Sequence, residues 1–353
     1  MISKEKINAN RQIELDIAKG LAVLFMLNVH VLWDLSAPEV KKTILGNLIH
    51  FFGGVPAAPV FMFAMGIGIV YSRRESYSCF LKRGFILIII GYLLNAFRSF
   101  IPLFLGLELN LIDAESIKYG SLLMNLLETD ILQFAGLSLL VIAFIKKMKI
   151  SILGYFILAL FFTIIHFFVS DISANNVIIN SILGLFWGSG NNSYFPLLSW
   201  IFYPLSGVLF GYFLIRCKNK NKFYLYILLL SFVIFGNTAL TSGYIDLGFA
   251  DEYNYYHHDV RGNLYLISMV MIWISFLYYI KRFIPQVIIN KLIFWSRNIT
   301  KFYIIHWIII GWSILVLGYN HLTFWQSILF MLGLIIITDR LTKYIAENFN
   351  ITL

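Results

Sequence analysis

Residues 16–30, DIAKGLAVLFMLNVH, place a lysine and a histidine eleven positions apart inside the first segment long enough to cross a membrane. At about 100° and about 1.5 Å per residue, eleven helical steps end about 20° past three turns and about 16 Å along the axis. Lys19 and His30 therefore share one face. Asp16, three positions before the lysine, and Asp34, four after the histidine, fall near the same stripe. Each ionisable group costs on the order of 2.5–3.5 kcal/mol near the bilayer centre, so such groups face a protein interior or a watery cavity. The stripe predicts a site embedded in the membrane.

The rest of the chain matches that first helix. Its 353 residues are 59% hydrophobic, 17% aromatic and only 13% charged, with a mean hydropathy of +0.80, which excludes a soluble globular domain. The fold class is an all-α polytopic membrane protein of about ten transmembrane helices. Spans are drawn at about 15–35, 45–71, 84–105, 129–145, 151–170, 200–215, 223–241, 263–280, 299–319 and 323–339. Ten spans put both termini on one side. The expectation is a single transmembrane domain over 1–353, without an appended soluble domain or a repeat of 20–50 residues. MISKEKINANRQ is basic before an apolar run, but no small-residue cleavage site follows, so the first span is expected to stay uncleaved.

Charge gives the spans a direction. Alternate connections carry most of the 27 basic residues: Lys4, Lys6 and Arg11, then SRRESYSCFLKR, KKMK, RCKNKNK, the stretch 281–301, and Arg340 with Lys343. Opposite connections carry the acids Asp34, Glu39, Glu108, Asp113, Glu115, Glu128, Asp130, Asp171, Asp246, Asp251, Glu252 and Asp259. Cytoplasmic loops accumulate Lys and Arg, so both termini are expected in the cytoplasm and the protein in the cell membrane. The net charge of +9 is then a topology signature, and no nucleic-acid partner is implied. Cys79 and Cys217 fall in inward loops, where thiols stay reduced. The longer outward stretches, about 106–128, 171–199 and 242–262, are expected to face the substrate. Within the second, VIINSILGLFWG reads as a surface-lying or re-entrant helix; inward, IPQVIINKLIFWSRN reads as an interfacial one.

Four stretches resemble the transmembrane acyltransferase superfamily, which spans the acyltransferase-3 proteins and relatives of heparan-α-glucosaminide N-acetyltransferase. RQIELDIAKGLAVLFMLNVH is similar to the acyltransferase-3 pattern of a basic residue, ten residues and a histidine, with Lys19 where arginine is common. GVPAAPVFMFAMGIGIVYS is similar to the second-helix pattern of a proline, an aromatic-rich run and a glycine. DILQFAGLSLL and SYFPLLSWIFYPLSGVLFGYF resemble internal helices of the heparan-enzyme branch, and SRNITKFYIIHW resembles the late helix ending in Tyr and His. The resemblance implies transfer of an acyl group, first of all acetyl, from cytoplasmic acyl-CoA. The acceptor would be a hydroxyl or amine on the far side of the membrane, such as an extracytoplasmic glycan or amino sugar.

Two mechanisms remain open for His30. It removes the acceptor's proton as a general base, or it attacks the thioester to form an acyl-imidazole. Asp34 either orients the ring or merely ends the helix at the interface. In the heparan-enzyme branch the active histidine comes later, before the second-helix proline; His50, ahead of Pro59, is the candidate there. For the CoA end the inward residues are Lys19, Arg11, Lys82, Arg83, Arg297, Asn298 and Lys301, with Arg297 and Asn298 preceding a helix whose N-terminus favours phosphate.

The resemblance adds Tyr303 and His306 on the late helix, as residues lining the donor tunnel. Asp130 and Gln133 begin the fourth helix and are expected to help hold the acceptor. His257 and His258, in YNYYHHDVRGN, join them as sugar-recognition candidates. Asn95 and Arg98 form a polar face, unless Arg98 snorkels outward. His166 and His321 are read as structural or interfacial, and no metal site has a recognisable spacing. The partners are then the bilayer, acyl-CoA and a carbohydrate, with a homo-oligomer open. The rival class is a multi-pass transporter, which would show paired broken helices. A third reading is an inactive binding or sensor protein.

Overall fold

In the computed structural model, residues 2–72, 76–113, 115, 117–242 and 255–349 are described. Arg73 and Arg74, and the loop residues Asp246, Asp251, Glu252, Tyr253 and Asn254, lie outside them. The described chain is helical and contains no strand beyond isolated bridges. Helices α1 Ile13–Asp34, α2 Ile44–Gly54, α3 Ala58–Tyr71, α4 Tyr77–Asn95 and α5 Ile101–Glu108 make up the first part. Then come α6 Ile131–Lys147, α7 Ile152–Val169, α8 Val177–Trp187, α9 Phe202–Arg216 and α10 Lys220–Ser242. The last are α11 Val260–Ile280, α12 Gln286–Arg297, α13 Ile299–Leu317 and α14 Phe324–Asn348.

Among the described residues eight helical stretches are long and apolar enough to span a bilayer. The other two expected spans are helical but differ in kind. α6 has only 17 residues, and α14 runs to Asn348, well past the apolar limit near 339, because TDRLTKYIAEN keeps helix-forming residues after the hydropathy ends. The second span is broken at residues 55–57, where Pro56 and Pro59 interrupt the backbone hydrogen-bond ladder.

α1 runs through the middle of the bundle. Ile17, Ala22, Val23 and Val31 are fully buried, and α2, α3, α12 and α13 all pack on it. Its buried share is 67%, whereas that of α10 is 17%, which sets α10 against lipid and α1 in the interior. Glu14, fully buried at the start of α1, is held by Lys220 at 2.9 Å, Lys281 at 2.7 Å and the Tyr224 hydroxyl at 2.9 Å. It ties α1 to α10 and α11. α12 lies along α1 on Ile289, Leu292 and Trp295, while Val287 and Ile288 remain exposed, and Lys291 pairs with Asp339 of α14 at 2.6 Å.

Small residues allow the closest contacts, as packing in lipid requires. A Cβ on Gly66 of α3 would stand 2.0 Å from the Pro204 carbonyl oxygen, and one on Gly207 of α9 would stand 2.0 Å from that of Phe63. Gly207→Leu should lower stability by about 1–3 kcal/mol, because neither backbone can retreat. A melting temperature equal to that of the parent protein in the same detergent would refute this packing.

Between α4 and α5 the helix takes a π-helical turn, Ala96–Phe100. One residue is thereby added to the turn, and Arg98 points inward. α13 presses on that turn, and a Cβ on Gly311 would sit 1.8 Å from the Arg98 carbonyl oxygen.

Candidate functional site

Two cavities meet inside the bundle. A small one, ≈ 70 Å³, is lined by His30, Asp34, Lys118, Glu128 and Asp130 and walled by aromatic rings including Tyr194 and Trp307. A large one, ≈ 800 Å³, lies between α3, α4 and α6; its walls are mostly aliphatic, and Lys19, Lys82 and Arg83 border it. Phe61, Ile131 and Tyr303 line both, so these three side chains form the partition.

His30 is oriented by a second histidine. His30 Nδ1 lies 2.8 Å from His306 Nε2, and His306 Nδ1 lies 2.8 Å from the Phe302 carbonyl oxygen. A carbonyl only accepts, so His306 Nδ1 carries a hydrogen and, in the neutral ring, Nε2 accepts. His30 must then donate from Nδ1, which leaves Nε2 of this cavity-lining ring with a lone pair. The pair is set by the backbone of α13. His306 is fully buried, and His30 stacks on Trp307 at 4.2 Å between ring centroids.

Arg98, 4% exposed, pairs with both Glu128 and Asp130, the latter at 2.7 Å. It is an interior cation rather than a snorkelling one, and it lies 4.5 Å from the centre of the Trp307 ring. Asp130 caps α6 and accepts from the Tyr303 hydroxyl at 2.6 Å; Glu128 accepts from Tyr119 at 3.1 Å, and the Tyr119 and Tyr194 hydroxyls are 2.6 Å apart. Lys118 stands beside Tyr194. Burial alone would lower the Lys118 pKa, but Tyr194, Asp34 and Glu128 around it raise it overall, so it is cationic.

The residues singled out from sequence divide accordingly. His30, Asp34, Asp130 and Tyr303 come together at the small cavity, and Lys19 lies at the large one. Asp34 ends α1 and lines the cavity opposite Lys118, while the orientation of His30 comes from His306. His306 supports His30 from behind, outside both cavity linings. Gln133 closes the capping box of α6 and packs on Gly91. His50 accepts from Trp33 Nε1 at 3.0 Å and lines neither cavity.

His258 is bonded to Tyr203 at 2.8 Å and to the Tyr255 carbonyl at 2.9 Å, and its burial lowers its pKa to about 3. Burial likewise brings His257 down to about 4; the neighbouring Tyr255 and Tyr256 line the cavity instead. At the N-terminal end of α1, Arg11 and Lys19 both pair with Asp16, the latter at 3.1 Å. Arg297 is exposed, and the Asn298 amide bonds the Phe294 carbonyl. None of Arg11, Arg297 and Asn298 lines the large cavity, although Ile299 and Thr300 of the α13 N-terminus do.

Glu128, Lys118, Tyr119 and Tyr194 were not anticipated as site residues. Their signal was weak, being polar residues in connections between spans, where polar residues belong. Among the described residues no group of three His, Cys, Asp or Glu is arranged to hold a metal ion.

Spanning helices that bury a paired-imidazole site beside the smaller of two adjoining chambers define a multi-pass membrane protein with an internal polar site. A family model described as heparan-alpha-glucosaminide N-acetyltransferase, catalytic, matches residues 11–242, and the chain belongs to that family. It is therefore a membrane acyltransferase. A search of curated proteins finds no match to this chain. The matched segment contains His30, Arg98, Glu128 and Asp130; Tyr303 and His306 follow it.

Proposed function

We propose that the protein transfers an acetyl group from cytoplasmic acetyl-CoA to the amine of an extracytoplasmic amino sugar or glycan, across the cell membrane and within a single domain. The observation that carries the reading is the pair of chambers with His30 at the smaller one. The large cavity falls within the range of about 300–1,000 Å³ usual for ligand sites, and its aliphatic walls suit the pantetheine arm. Lys19, Lys82 and Arg83 would meet the phosphates, aided by the dipole of the α13 N-terminus. The basic-loop rule assigns that end, and with it both termini, to the cytoplasm.

The small cavity has room only for the reacting groups, so most of the acceptor stays outside it. Asp34, Glu128 and Asp130 against Lys118 and Arg98 leave one net negative charge beside neutral imidazoles. That balance, with aromatic walls, favours an ammonium over a neutral hydroxyl. His30 Nε2 is placed to take a proton from the attacking nitrogen and give it to the departing thiolate. The same lone pair would serve as nucleophile in the acyl-imidazole route, which predicts ping-pong kinetics.

Acetyl-CoA should stabilise the purified protein by about 2.7 kcal/mol at 100 times its Kd, whereas nucleotides without the pantetheine arm should do less. Replacing Lys82 and Arg83 together by Ala should weaken that effect. No thermal shift at saturating acetyl-CoA would remove the donor assignment and favour a transporter.

A further inference from the structure

Acylation of an ammonium releases more protons than His30 can handle alone. R–NH3+ and acetyl–S–CoA give R–NH–CO–CH3, HS–CoA and one H+: the C–S bond breaks, a C–N bond forms, and two protons leave nitrogen. One travels through His30 to the thiolate sulfur. The other must go elsewhere, and the His306 side is closed, because His306 Nδ1 ends on a backbone carbonyl that cannot pass a proton on.

Among the described residues a hydrogen-bonded chain runs from the small cavity's wall to the carboxylate between it and a third cavity. Glu128, as a carboxylate, only accepts, so the Tyr119 hydroxyl spends its single hydrogen on Glu128 Oε2. Tyr194 must then be the donor across the 2.6 Å contact to Tyr119. The order is Tyr194, Tyr119, Glu128, and it starts at a ring that lines the small cavity. It ends at a carboxylate that lines both the small cavity and a third one of ≈ 40 Å³, shared with Asp34, Asn125 and Tyr319 among others, which exceeds the space of about 10–15 Å³ that one water needs.

Tyr119 is also held at φ 66°, a left-handed backbone angle uncommon for a bulky residue and of the kind that recurs at functional sites. The groups facing this chain are Arg98 from the π-helical turn, Lys118 and Asp130 from the connection around it, and Asp34 and Tyr319 across the third cavity. Tyr256 meets the Tyr194 ring edge-on at 4.8 Å.

We propose that Tyr194, Tyr119 and Glu128 form a proton exit that deprotonates the acceptor's ammonium, passing its first proton into the third cavity. This rests on the acetyl-transfer reading and deepens it: the enzyme takes its amine substrate in the charged form. Each hydroxyl passes on one hydrogen as it receives another, and Glu128 is the terminal acceptor.

The test is Tyr119→Phe, which keeps the ring and removes the link. With an alkylamine-type acceptor, kcat/KM of the variant should fall about a hundredfold at two pH units below the amine's own pKa. It should recover about tenfold per unit toward that pKa, since only the free amine then reacts. With a weakly basic acceptor such as an alkoxyamine, already neutral at pH 7, variant and parent should match. Equal loss on both acceptors at every pH, or no loss on either, would overturn the exit. Tyr194→Phe cuts the chain at its other end and serves if Tyr119→Phe fails to fold. A parent protein that transfers no acetyl group to any amine would instead overturn the underlying reading.

Discussion

His30→Ala should reduce acetyl transfer by about 10²–10⁴-fold while acetyl-CoA still shifts the melting temperature. The large chamber is bordered by Lys19, Lys82 and Arg83, and His30 is absent from its lining. Binding and chemistry should therefore separate in this variant. His306→Ala should lower kcat more than it raises KM, because it frees His30 to take the wrong tautomer without altering either cavity lining. The double variant should be little worse than His30→Ala alone, since residues acting as one unit are strongly non-additive. His50→Ala is the control. Its ring stands outside the small cavity, behind the lining residue Trp33, so a loss comparable to that of His30→Ala would move the chemistry to His50.

Arg98→Met should produce the largest loss of stability, on the order of 3–5 kcal/mol, because two buried carboxylates lose their counter-charge. The side chains are close in volume, so packing changes little. Adding Glu128→Gln should recover part of the loss, as one uncompensated charge is removed with it. A half-life at elevated temperature in detergent is the suitable readout, since unfolding of a multi-pass protein is governed by its rate. If Arg98→Met survives heating as long as the parent, the ion-pair cluster is incidental.

The spans were readable because a bilayer demands long apolar runs, and each expected range is helical over most of its length. The break at 55–57 was not foreseen, since GVPAAPVF is as apolar as an unbroken span. The stripe on the first helix made His30 visible, because an ionisable group in apolar surroundings needs a reason. Lys19 and Tyr303 both border the large chamber.

What the sequence concealed is pairing across distance. Arg98 and Glu128 are thirty positions apart, and His30 and His306 far more. Lys118, Tyr119 and Tyr194 look like ordinary loop residues until the loops fold inward. Conversely, His257 and His258 resembled a recognition cluster by residue type, yet Tyr203 and a backbone carbonyl hold His258 within the wall. A histidine's type is visible in the chain, but its partner is not.

The π-helical turn at Ala96–Phe100 makes the third span respond to a reading-frame-preserving deletion unlike its neighbours. In a plain α-helix, losing one residue rotates everything beyond it by about 100°. Here the wide turn already accommodates one extra residue, so its removal would restore an ordinary α-helix and leave Pro102, Leu103 and Gly106 facing the bundle. What would change is the turn itself, from which Arg98 reaches its two carboxylates. Lineages that lose a codon in this turn should therefore keep the span and lose the ion-pair cluster.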